Sequence, residues 1–131
     1  MIDINKYYFD INDRAFNAIK NKTKKVEIRV TKLDSSFDYS ILKTDDIINF
    51  TNSENETIIC KIIKINWYKT IEELLQIEGT KYTLSSTNDF NEGVKSINSF
   101  NGYKEGIKRN GVYAIHIKYL ENEVVYEGNN L

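Results

Sequence analysis

Between positions 20 and 32 the chain carries Lys20, Lys22, Lys24, Lys25, Arg29 and Lys32, relieved only by Glu27. In a protein with 18 basic and 19 acidic residues this is a local basic patch, and its residue types define the chemistry open to it. Arginine and lysine hold phosphate oxygens through charge-assisted hydrogen bonds, and a carboxylate among them can read a base edge or a ribose hydroxyl. Lys25, Glu27 and Arg29 share one face of an extended segment, successive members about 6.5 Å apart at about 3.3 Å per residue. Lys24 stands at the mouth of that segment. The plainer reading is a solvated strand face on which Glu27 pairs with Lys25 or Arg29, worth under about 1 kcal/mol.

Aromatic residues supply the other half of a nucleotide site. Trp67, Tyr68, Tyr82 and Tyr103 fall at a strand end or in a loosely patterned region, where an exposed ring could stack an unpaired base for about 1 to 3 kcal/mol. Packing over the barrel is the alternative for each, and the stronger one for Trp67. The candidate ligand set is therefore Lys22, Lys24, Lys25, Glu27, Arg29, Tyr82 and Tyr103. His116 alternates with Ala114 and Lys118 on a strand and reads as structural. Cys60 sits in an apolar run and reads as a small core residue. No Cys/His cluster, phosphate-cradling glycine loop or nucleophile elbow occurs, so neither a metal nor a cofactor is expected.

The elements that must position these groups are legible from pattern. Lys6 to Ile11 is an aromatic, β-prone run. A helix is predicted from Asn12, a good N-cap, with Ile11 and Phe16 placed as a hydrophobic staple and Asn21 at its end. Lys24 to Thr31 alternates with Val26, Ile28 and Val30 on one side. Past a polar-aromatic connection (Leu33 to Leu42), Asp46 to Phe50 and Thr57 to Tyr68 read as further strands, the latter apolar on both faces as where a barrel curls over its interior. Thr70 to Glu73 is a capping box opening a short helix stopped by Gly79. The next thirty or so residues hold one or two short helices, around Phe90 to Phe100 and Tyr103 to Lys108. Val112 to Leu120 is the last clear strand, and Val124 to Tyr126 is an edge strand or a loose tail. Antiparallel strands on short turns with few helices argue an α+β fold built on a closed or nearly closed small barrel.

At 131 residues, 40 % hydrophobic and 28 % charged, the chain suits one domain, with a core spanning about residues 6–120. No run approaches the roughly 18 to 20 apolar residues that span a bilayer, and the first residues lack a signal-peptide pattern, so a cytoplasmic location without membrane contact is expected. A net charge of −1 argues against long-duplex DNA and for a short single strand or a single nucleotide.

Four ordered segments resemble the ASCH domain, a family of the PUA-like superfamily. They are Phe16 to Arg29, Leu42 to Phe50, Tyr68 to Leu75, and the pair Gly102 to Glu105 with Gly111 to Ile117, together covering about Tyr7 to Leu120. The resemblance implies a small PUA-like β-barrel with a short helix after the first strand and a helical insert before the last. It also implies a cleft to which Lys24, Glu27 and Arg29 are presented, and RNA or a modified nucleoside or nucleotide as partner. The family usually has glycine where this chain has Lys22 and Asp45, and Asn21 could take over the left-handed position from Lys22. Some members resemble this chain as amidohydrolases that deacetylate acetylcytidine with a lysine, a threonine and a glutamate. The lysine aligns with Lys24, the threonine with Glu27, and the glutamate falls near Tyr82. If such an activity exists here, Lys24 and Glu27 act as a general acid/base pair on water. A protein-interaction module with an idle cleft is the third reading.

Overall fold

A computed structural model describes residues 3–34 and 37–121. Five strands, β1 (Lys6–Asp10), β2 (Val26–Arg29), β3 (Ile47–Thr51), β4 (Thr57–Tyr68) and β5 (Val112–Tyr119), form one sheet in the order β1-β3-β4-β5-β2. Four helices accompany them: α1 (Asp13–Lys20), α2 (Ile71–Glu78), α3 (Phe90–Ser99) and α4 (Tyr103–Asn110). The architecture is α+β, a half-barrel with four helices. Val124 to Tyr126 lie outside the described residues.

The antiparallel expectation holds for β3–β4, β4–β5 and β5–β2 but not for β1, which pairs parallel with β3. Helix α1 and β2 intervene between β1 and β3 in sequence, which gives the chain the crossover that a parallel pair requires. The N-cap side chain of Asn12 accepts from the Ala15 N–H at 2.8 Å, and Ile11 and Phe16 join one core. Thr70 caps α2 through the Glu73 N–H, while the Glu73 carboxylate reaches back to the Lys69 N–H rather than to that of Thr70.

The helix end corrects an expectation. Asn21 stays right-handed at φ −85°, and Lys22 itself is left-handed at φ 65°. The Thr23 N–H bonds to Ala18 O and the Lys22 N–H to Ile19 O, the two bonds of a Schellman motif. That motif requires the left-handed residue one position after the cap, so the role falls to Lys22. Asp45 likewise adopts φ 76°.

The sheet divides two cores. Ile48, Phe50, Ile58, Cys60 and Ile115 pack beneath α1 inside the half-barrel, while Val26, Ile28, Leu74, Leu75 and Val112 pack against α2, α3 and α4 on the other side. β4 serves both. Its pairing with β5 slips between Ile62 and Lys64, leaving Ile63 as an extra residue. A bulge of this kind inverts the alternation of a strand. Ile58, Cys60 and Ile62 precede it and fill the barrel core, whereas Tyr68 follows it and belongs to the helical side.

Candidate functional site

β2 is buried on both faces, and this decides the meaning of its charged residues. Val26, Ile28 and Val30 pack on the helices, so Glu27 and Arg29 turn into the half-barrel rather than to water. Glu27 is 7 % exposed, and the Arg29 guanidinium lies over the rings of Phe9 and Phe50 at 5.4 and 5.8 Å. The solvated strand face is overturned. Lys25 does not share that face in practice, because regular pairing begins only at Val26 and its side chain points outward.

Lys24 takes the inward place instead. It is 5 % exposed, and its Nζ lies 2.6 Å from Val26 O, 2.6 Å from Thr83 O and 3.4 Å from Glu27 Oε1. An ammonium has three N–H donors, and each has an acceptor here. On the other carboxylate oxygen, Glu27 Oε2 accepts from Arg29 Nε at 2.8 Å. Arg29 Nη2 then donates to Asp10 O at 2.8 Å.

Burial works against the charge on Lys24 and holds its pKa below the usual lysine range, with Glu27 opposing that shift. Burial also disfavours the Arg29 charge, but the Glu27 carboxylate together with Tyr103 and Tyr39 outweighs it and raises the guanidinium still further. Tyr103 is driven above the usual phenol range, first by burial and then by Glu27 against the lowering effect of Arg29. The assembly holds a carboxylate between two cations and so has a positive excess.

This triad borders a cavity of about 300 Å³ at the seam between the end of β1, the start of α1, β2 and the helical insert. Phe100 and Tyr103, in edge contact at 5.4 Å, contribute one wall, and Arg14 and Lys32 add cationic side chains. Thr83, 1 % exposed, also lines the cavity, and its Oγ1 has no hydrogen-bond partner.

Of the residues expected at a ligand site, the fold brings Lys24, Glu27, Arg29 and Tyr103 together. It separates Lys22, Lys25 and Tyr82 from them. Lys22 pairs with Glu121 at 3.1 Å on the surface. Lys25 and Lys22 border a second cavity of about 400 Å³ with Ile63 and Ile117, and Lys24 is the wall common to both cavities. Tyr82 is exposed beside Lys25. Arg14, Thr83 and Phe100 went unread. Phe100 stands three residues before Tyr103, a spacing that hinted at a shared wall, whereas Thr83 lies in an irregular stretch that offers no period.

His116 joins a local hydrogen-bond network: its Nε2 lies 2.8 Å from Glu78 Oε1, and Glu78 Oε2 accepts from Tyr68 Oη at 2.6 Å and Asn66 Nδ2 at 2.9 Å. Trp67 packs across Gly111 and donates to Asn110 O, yet stays half exposed. Cys60 is fully buried, and burial pushes its thiol up to about 12. Among the described residues no helix is long and apolar enough to cross a membrane.

A family model for the ASCH domain matches residues 10–121. The crystal structure of hypothetical protein PH0355 is similar over 88 % of this chain and 99 % of its own, at 28 % identity and a TM-score of 0.74. Protein PF0455 from Pyrococcus furiosus, solved by NMR, matches 88 % of this chain and 98 % of its own at 24 % identity and a TM-score of 0.68. Protein EF3133 from Enterococcus faecalis V583 has 9 % identity, a TM-score of 0.51 and coverage of 92 % and 82 %; these last two likenesses concern the fold alone. No curated protein matches the chain.

Proposed function

The chain belongs to the ASCH domain family, and from that premise we propose that its seam cavity binds one nucleotide or nucleoside unit, in RNA or free. The observation that carries this reading is the buried Lys24–Glu27–Arg29 triad beside an aromatic wall. Its positive excess suits a phosphate or a carbonyl-rich base edge, and Phe100 and Tyr103 suit the faces of a base. A volume of about 300 Å³ stands at the lower end of small-molecule sites, which suits one unit rather than several.

Calorimetric titration of the protein with the ribonucleoside monophosphates tests it. Binding is expected to weaken with salt and to fall about tenfold in Arg14→Ala and in Phe100→Ala, both at exposed positions. Retention of full affinity in both variants would sink the assignment.

A hydrolytic reading draws on one observation, the partnerless hydroxyl of Thr83 close to the Lys24 anchor. Thr83, Lys24 and Glu27 supply the residue types of an amidohydrolase set, with threonine and glutamate on exchanged segments. Binding is the preferred reading because the Lys24 Nζ faces three acceptors, the arrangement of an ammonium that has no lone pair to take a proton. Incubation with acetylcytidine, followed by chromatography, is expected to release no more cytidine than a Lys24→Ala control.

A further inference from the structure

Thr83 and Lys24 line the seam cavity, but the residues beside them, Tyr82 and Lys25, do not. Two bonds fix this arrangement. The Tyr82 carbonyl accepts from the Lys25 N–H at 2.8 Å and from the Val26 N–H at 3.0 Å, so residues 82 and 83 are fastened along the start of β2. Lys24 adds a third tie from within, through its bond to Thr83 O. The ring of Tyr82 is thus carried on a backbone that is held in place, yet it is 41 % exposed.

Two ammonium groups gather at that ring. Lys25 Nζ lies 4.8 Å and Lys81 Nζ 5.1 Å from its centroid. Beyond Lys25, Lys22 and Lys118 border the second cavity, whose floor includes Ile63 and Ile117. Bringing like charges to one ring is unfavourable unless an anion can share them, and exposed cation–π contacts are weak enough to be displaced. An exposed aromatic ring with flexible cations beside it is the combination that takes an unpaired base and its phosphate.

We infer that Tyr82 is a stacking platform for the nucleotide adjacent to the one in the seam cavity, with Lys25 and Lys81 on the connecting phosphate, so that the ligand is a single strand. This rests on the nucleotide reading of the cavity and extends it from one unit to a polymer. Consecutive Cα atoms are about 3.8 Å apart, so Thr83 at the cavity and Tyr82 on the platform stand within reach of neighbouring nucleotides. A base that stacks on Tyr82 displaces a lysine from the ring, and the freed ammonium meets the backbone.

The test compares a mixed-sequence six-nucleotide RNA, followed by fluorescence anisotropy, with ribonucleoside monophosphates on the same protein. The hexamer is expected to bind more tightly. Tyr82→Ala is expected to weaken the hexamer about tenfold or more while leaving monophosphate binding unchanged, and Tyr82→Phe to retain the hexamer. Lys25→Ala with Lys81→Ala is expected to flatten the salt dependence of hexamer binding, by about 0.7 in the logarithmic slope for each phosphate no longer neutralised. Unchanged hexamer affinity in Tyr82→Ala, with monophosphates still bound, overturns the platform and leaves the cavity reading intact. Failure of hexamer and monophosphates alike to bind overturns both.

Discussion

Arg29 on one edge strand donates from Nη2 to the backbone carbonyl of Asp10 on the other edge strand, 2.8 Å away. β1 and β2 are the two ends of the strand order, so this bond spans the opening where a closed barrel would continue its ladder. Arg29 also binds Glu27 through Nε. The residue that shapes the candidate site is therefore also a clasp between the sheet's two edges, and its planar fork lets it face two partners at once.

Arg29→Ala should lower stability by about 3 kcal/mol, because it leaves Glu27 buried with a single cation. Arg29→Lys should recover only part of this, since an ammonium on a flexible stem does not reproduce the fork. In a double-mutant cycle with Glu27→Gln, the two losses should be clearly less than additive. Urea denaturation measures all three. Full additivity would show that Arg29 and Glu27 do not act as a pair.

Lys22→Gly should stabilise the protein by about 1 kcal/mol, because a left-handed residue with a Cβ is strained and glycine is not. Asp45→Gly should gain less, since Asp tolerates that region. A rise in the urea midpoint at constant slope is the expected signature.

Alkaline pH should destabilise the fold partly through Cys60. Its folded pKa is raised to about 12 from 9.0, first by burial and then by Glu27, so the native state keeps a proton that the unfolded chain loses earlier. That stability is fully present below about pH 9 and is lost as pH rises toward 12, at up to about 1.4 kcal/mol per pH unit. Cys60→Val should flatten this decline, as followed by denaturation at pH 8 to 11. An unchanged decline would assign it to other groups, among them Tyr68, also raised to about 12 by burial and by Glu78.

Gly106→Ala should move α4 off β2. A Cβ at this position would lie 2.6 Å from Val30 Cγ1 and 3.1 Å from the Thr31 carbonyl, and the backbone contact cannot yield by a rotamer change. Tyr103 begins the same helix. Loss of nucleotide affinity is therefore expected beside a stability loss of about 1 to 3 kcal/mol from overpacking. Circular dichroism and nucleotide titration separate the two effects.

Much of this fold was legible because its local signals are strong. β4 runs from Thr57 to Tyr68 as its composition indicated, Asn12 and Thr70 cap the helices they precede, and the insert holds helices at Phe90–Ser99 and Tyr103–Asn110, where one or two short helices were expected. The parallel pairing of β1 was not legible, since no short-range pattern reports which strand a first strand joins. The site was half legible. Glu27 and Arg29 were found by type, but charge on an alternating strand ordinarily signals water, and only the half-barrel curving over them turns that face inward. Lys24 was placed at the strand mouth, yet its burial depends on Thr83, which lies far along the chain. Tyr82 and Lys25 were grouped with the cavity residues because sequence proximity does not reveal that adjacent side chains diverge.

The extra residue at Ile63 makes the length of β4 a matter of parity. Deleting it would restore unbroken alternation with β5 and force one half of the strand to face the opposite way, exposing Ile58, Cys60 and Ile62 or moving Tyr68 away from Glu78. A deletion of one residue within β4 is thus a topological error rather than a small loss of packing. Changes of length that this fold accepts belong in its loops, and within β4 they come in even steps.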